Sequence, residues 1–238
     1  MKKINIFYIA CVLLLSSPLL PAAVFLKTRT MPVTIKTDTT NTWLALGDSY
    51  TIGESVPEKD RYPVQTVTLL KAQGIDFSEA AIIATTGWTT QNLLDAIKNK
   101  PVKPAYTIVS LLIGVNNQYQ GRSLEEYKEQ FAILLQHAIE LAGNKASHVF
   151  VLSIPDYSVT PFARHADQSK IANEIDVFNT ANNQIAGKRK VNYINITTAS
   201  RKAATDPSLV ASDGLHFSGK AYLEWSQLLV PLIKQALQ

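Results

Sequence analysis

The chain predicts an α/β fold, a three-layer α/β/α sandwich built on a five-stranded parallel sheet. Five short apolar runs alternate with amphipathic stretches long enough to be helices. Strands separated by helical crossovers pair in parallel, with helices covering both faces. The 238 residues are 46% hydrophobic and 18% charged, a balance that fits one globular domain of roughly 200 residues with its own core.

The elements follow in order. Residues 43–47 (WLALG) form a short strand that breaks into the polar turn Gly47-Asp48-Ser49. Residues 62–73 (YPVQTVTLLKAQ) read as a helix ended by Gly74. Residues 80–84 (AAIIA) are a second strand, followed by Thr85-Thr86-Gly87-Trp88. Residues 90–98 place Leu93, Leu94 and Ile97 on one helical face. Residues 106–113 (YTIVSLLI) are a buried-type strand that runs into Gly114-Val115-Asn116-Asn117. Ser123 is the expected N-cap of a long helix, with Glu126 at the capping-box position and Gly143 as terminator. A strand over 148–154, a helix over 170–188, a strand over 191–196 and a helix over 219–237 complete the pattern.

The N-terminus reads differently. Lys2 and Lys3 precede a run, residues 4–26, that carries no charge and has small residues at Ala22-Ala23. A positive start, an apolar stretch and small residues read as a bacterial secretory signal. The run is also long enough for an uncleaved membrane anchor, although Pro18 and Pro21 break a helix where a signal's apolar region ends. Either reading exports the domain across the inner membrane, to the periplasm or beyond. Cys11 is the only cysteine, and its context only loosely matches a lipidation box. Residues 27–41 are Thr- and Lys-rich without periodicity and read as a tether, which leaves 42–238 as the folded domain. The formal charge of +4 owes two units to Lys2 and Lys3. With no basic run or aromatic-interleaved basic stripe, nucleic acid is not an expected partner.

The fold prediction bears on chemistry. In open parallel sheets, ligands bind beyond the carboxyl ends of the strands. The turns at Ser49, Gly87 and Asn116 follow strands directly and should share one edge of the sheet. A fourth turn, Ser212-Asp213-Gly214-Leu215-His216, precedes the last helix and can fold back to that edge. A serine hydroxyl is a weak nucleophile that needs an oriented base. Of the four histidines, His137 lies mid-helix, His148 begins a strand and His165 sits in a surface loop. Only His216 has an acid, Asp213, three residues before it across a glycine, in position to orient an imidazole as Ser-His-Asp chemistry requires. Acyl transfer also needs donors for an oxyanion. The Ser49 N–H, the Gly87 N–H and the Asn116 amide are candidates.

These four segments resemble the GDSL/SGNH hydrolases in order and spacing over residues 43–237. The family's letters fall on Ser49, Gly87, Asn116 and His216. The resemblance implies a flavodoxin-like sandwich with Ser49 as nucleophile, His216 as base and Asp213 as its partner. It also implies an oxyanion hole of Ser49, Gly87 and Asn116. Two departures stand out: the first block reads G-D-S-Y, and the third reads G-V-N-N where G-x-N-D is commoner, so Asn117 cannot act as a carboxylate.

The expected function is an exported serine esterase, probed for substrate contacts at Trp88, beside Gly87, and Tyr119, after Asn117. A Pro-bounded loop, Pro155-Asp156-Tyr157 to Thr160-Pro161-Phe162, should also reach the active edge. Lipid, acetylated-carbohydrate and other acyl esters all fit the resemblance. The alternatives are an envelope O-acyltransferase with the same triad and a silent binding protein on the same scaffold. No zinc-type His or Cys motif and no phosphate-binding glycine loop appears, so neither metal nor organic cofactor is expected. A monomer is expected.

Overall fold

The computed structural model describes residues 40–99 and 105–238. The expected leader, Cys11 and all of the expected tether but Thr40 and Asn41 lie outside the described residues. Those last two tether residues already bond to the domain: Thr40 Oγ1 donates to Asp76 Oδ2 at 2.9 Å, and Asn41 bridges Phe77.

Five strands form the sheet: β1 (Trp43–Gly47), β2 (Ala81–Ala84), β3 (Ile108–Leu112), β4 (Val149–Leu152) and β5 (Asn192–Ile194). Their order is β2-β1-β3-β4-β5, every pair parallel, as expected. Strands β1, β3 and β4 are buried along their whole length, because helices cover both faces of the sheet. That is why they read as continuous apolar runs rather than alternating ones. The one polar residue in β3, Ser110, is satisfied by Trp43 Nε1 at 3.0 Å and Tyr62 Oη at 3.2 Å.

Among the described residues, eight α-helices accompany the strands: α1 (Ser49–Ile52), α2 (Tyr62–Ala72), α3 (Thr90–Asn99), α4 (Val115–Tyr119), α5 (Leu124–Leu141), α6 (Gln168–Lys188), α7 (Thr197–Ser200) and α8 (Gly219–Ala236). Helices α2 and α8 pack together, while α3, α5 and α6 pack in series, which gives the two outer layers. Ser123 caps α5 as expected, accepting from the Glu126 N–H at 3.1 Å. The reciprocal half of the capping box is absent, because the Glu126 carboxylate accepts from Gln130 at 3.2 Å instead. Gly143, at φ +67°, follows the end of α5.

Three short helices, α1, α4 and α7, were not expected. The Gly-Asp-Ser and Gly-Val-Asn-Asn segments are helix starts rather than plain turns. At the first, Asp48 is the N-cap and its carboxylate accepts the Tyr50 N–H. At the second, Gly114 takes φ +129°, where a Cβ would also lie 2.6 Å from Tyr127.

Strand order reverses between β1 and β3, and this is where ligands bind in sheets of this order. The segments after β1 and β3 therefore flank the one crevice that the topology opens.

Candidate active site

The segment after β1 is held tightly. A Cβ at Gly47 would fall 2.1 Å from Thr51 Oγ1 and 2.4 Å from the Leu112 carbonyl, so only glycine lets α1 turn this close to β3. Asp48 is buried, with Oδ2 unpartnered among the described residues. Burial pushes its carboxyl up to about 7, against the pull of backbone N–H groups including that of Gly114. Ser49 is the first residue of α1, so its N–H has no intrahelical acceptor. Gly53 closes the helix at φ +70°, and the N–H groups of Gly53 and Glu54 both donate to the Ser49 carbonyl at 3.0 Å.

The segment after β2 presents Gly87 at φ +84°. Among the described residues, and apart from its chain neighbours, nothing lies within 4 Å of where its Cβ would stand. Glycine suits this position because other residues adopt such a φ only at a cost in strain. After β3, the Asn116 amide donates to the Trp88 carbonyl at 2.9 Å. That acceptor fixes which way the amide faces and leaves its second N–H for another partner. Asn117 is fully buried and spans to α3: its Oδ1 accepts the Thr90 N–H at 3.0 Å and its Nδ2 donates to Thr90 Oγ1 at 2.7 Å. An amide can do both, where a carboxylate could only accept.

The fourth segment arrives from before α8. Asp213 Oδ1 accepts the N–H groups of Leu215 at 2.9 Å and His216 at 3.0 Å. Its Oδ2 lies 2.6 Å from His216 Nδ1 and takes a hydrogen bond from Ser55 Oγ at 2.6 Å. Burial alone would raise the Asp213 carboxyl, but the hydrogen bonds from Ser55, His216 and the two backbone groups outweigh it. They hold it well below the usual carboxylate range. With Nδ1–H directed to Asp213, Nε2 is left as the acceptor. The Tyr50 ring meets the imidazole edge-on at 5.6 Å, and His216 is buried.

Ser49, Gly87, Asn116 and His216 all line a single cavity of about 250 Å³. Among the described residues no hydrogen bond joins Ser49 Oγ to His216; such contacts are often long before substrate binds. The remaining wall is mostly apolar: Tyr50, Val115, Tyr119, Tyr157, Phe162 and Leu215. Tyr119, Tyr157 and Phe162 meet one another with ring centroids 6.2 to 6.3 Å apart. Tyr119 is 59% exposed and Phe162 49%, so these two form the rim.

Tyr119 thus stands at the cavity as expected, but Trp88 does not. Trp88 packs against the core and reaches the site only through its carbonyl, which orients Asn116. The Pro-bounded loop does reach the active edge, through Tyr157 and Phe162. It is braced from both sides: Asp156, fully buried, pairs with Arg201 at 2.8 Å, and Tyr157 donates to Gln118 at 3.0 Å. The other histidines lie elsewhere: His137 beside Glu140, His148 on the Thr107 carbonyl at 2.7 Å, and His165 beside Arg164 on the surface. Ser55 and Glu54 were not singled out from the sequence, since they belong to no spaced motif, and Tyr50 was noted only as a departure within the first block.

The GDSL-like Lipase/Acylhydrolase family matches residues 45–223. Similar folds include TesA, at 19% identity and TM-score 0.61, covering 82% of this chain and 99% of that one. A lipase/acylhydrolase from Enterococcus faecalis is 18% identical with TM-score 0.63, covering 82% and 96%. The acetylxylan esterase Axe2 from Geobacillus stearothermophilus is 18% identical with TM-score 0.61, covering 81% and 94%. A search of curated protein sequences finds no match. Three quarters of the chain, including every segment that lines the cavity, falls within the family match, and the fold is similar to that of its structural neighbours. The protein is therefore an ester-hydrolysing enzyme of the GDSL-like lipase/acylhydrolase family.

Proposed function

We propose that the protein is an exported serine esterase in which Ser49 attacks the ester carbonyl. His216 Nε2 takes the Ser49 proton as the bond to the acyl carbon forms. Asp213 holds the Nδ1–H and stabilises the imidazolium, without itself taking the proton. Negative charge on the tetrahedral oxygen is met by the Ser49 N–H, the Gly87 N–H and the second N–H of Asn116. His216 then returns the proton to the leaving alcohol, and water repeats the sequence to release the acid. The Asp213–His216 contact of 2.6 Å, beside a cavity that Ser49 and all three donors line, is the observation that carries this reading.

The lining supports an apolar acyl or alcohol group of modest size. A cavity of about 250 Å³ is small beside the roughly 300–1,000 Å³ of typical ligand pockets. Its aromatic wall has little to pair with a charged group. Lys2 and Lys3 ahead of the uncharged run to Leu26 support the export part of this reading.

A ladder of p-nitrophenyl esters, acetate to palmitate, tests the reading beside Ser49→Ala. We expect the optimum at short to medium chains, and a loss of about 10⁴-fold or more in Ser49→Ala with an unchanged melting temperature. A folded Ser49→Ala variant that keeps wild-type turnover would overturn the mechanism.

A further inference from the structure

We propose that Ser55 is a positioning residue that ties the acid–base loop to the helix carrying the nucleophile. The inference rests on the serine mechanism proposed above. Asp213 receives four hydrogen bonds. Three come from within its own loop, from His216 Nδ1 and the N–H groups of Leu215 and His216. The fourth, from Ser55 Oγ, is the only one among the described residues that comes from elsewhere, across 158 positions of sequence.

The segment that bears Ser55 hangs from the nucleophile itself. The N–H groups of Gly53 and Glu54 both donate to the Ser49 carbonyl, and the Val56 N–H donates to Gly53 at 3.3 Å. Arg61 closes over Gly53, where a Cβ would fall 2.4 Å from Arg61 Cγ. In the other direction, Glu54 accepts a hydrogen bond from Thr86 Oγ1. Thr86 immediately precedes Gly87, a proposed oxyanion donor. Four residues thus join the nucleophile, the oxyanion segment and the acid–base loop.

The backbone says why the residue is worth keeping. Ser55 sits at φ +64°, a conformation that glycine adopts freely and other residues at a cost in strain. Glycine would satisfy the turn; serine accepts the strain and supplies a hydroxyl to Asp213. That hydrogen bond is among those that keep the carboxyl ionised. Ser55 is not part of the cavity lining, so its effect should reach turnover through His216 rather than through substrate binding.

The experiment uses the full chain with Ser55→Gly and Ser55→Ala. Ser55→Gly removes the hydroxyl while relieving the backbone, so a folding defect from strain is ruled out by design. We expect kcat to fall about ten- to a hundredfold, the loss of one hydrogen bond to a charged group. KM should stay within about twofold, because Ser55 does not line the cavity that takes the substrate. Melting temperature in Ser55→Gly should match or exceed wild type. The acid limb of kcat/KM should move to higher pH, because a carboxylate with one donor fewer holds the imidazolium more tightly. NMR titration of the His216 ring, run also in Ser49→Ala, reads the same change without any turnover. A wild type inert on every ester, with a His216 titration that still moves in Ser55→Gly, would sink the esterase reading and leave the positioning role standing. Unchanged kcat and an unchanged His216 titration in both variants would overturn the positioning role alone.

Discussion

Two halves of the site are built by opposite means. Ser49, Gly87 and Asn116 each follow a strand within a few residues, so the sheet itself delivers them to one edge. Asp213 and His216 follow no strand. Their loop is organised by its own hydrogen bonds and pinned by the Ala211 N–H to the His216 carbonyl at 2.8 Å and by a Val210–Phe217 bridge. The first half is placed by topology and is as rigid as the sheet. The second is internally rigid, and its distance from Ser49 rests on side-chain contacts such as Ser55 to Asp213. Damage to the first half should therefore cost transition-state stabilisation, and damage to the second should cost proton transfer.

The largest effect expected from the second half is in His216→Ala, which removes the proposed base outright. Turnover should fall about 10⁴-fold or more, with KM little changed, in the same ester assay. Asn116→Ala strikes the first half and should lower kcat about 10²- to 10³-fold. Its pH profile should keep the wild-type shape, since the acid–base pair is untouched. If Asn116→Ala instead moves the acid limb, the two halves are not separable.

Asp48 gives the smallest and most conditional effect, on stability rather than rate. Burial raises its carboxyl from an ordinary 3.8 to about 7. Between those values the folded chain keeps a proton that the unfolded chain has released, so stability falls as pH rises through that window. Asp48→Asn cannot ionise and keeps an oxygen for the Tyr50 N–H. It should match wild type near pH 4 and exceed it at pH 8 by roughly 2 to 4 kcal/mol. Melting curves at the two pH values check this; a constant difference would show that Asp48 does not titrate on unfolding.

The strand-borne half was the more legible in the sequence, because apolar runs report burial and the glycines after them report turns. Asp213 and His216 were legible for a different reason: three residues apart, they meet by local geometry alone. Trp88 was misjudged because adjacency to Gly87 says nothing about where a ring points. Packing turned the ring to the core and used its carbonyl. The helices α1 and α4 read as turns in the sequence because four or five residues carry too little periodicity to separate the two.

By itself the sequence determined the parallel sheet and its alternation with the longer helices, and it named the side chains that the proposed mechanism uses, all of which depend on residues near one another or on repeated burial. Only the tertiary structure decided which surfaces face the cavity, how Tyr157 and Phe162 join Tyr119 at its wall, and that Ser55 reaches Asp213. Those contacts join residues tens to more than a hundred positions apart, and no local pattern encodes them. They exist because the folded sheet brings the ends of its strands to one place.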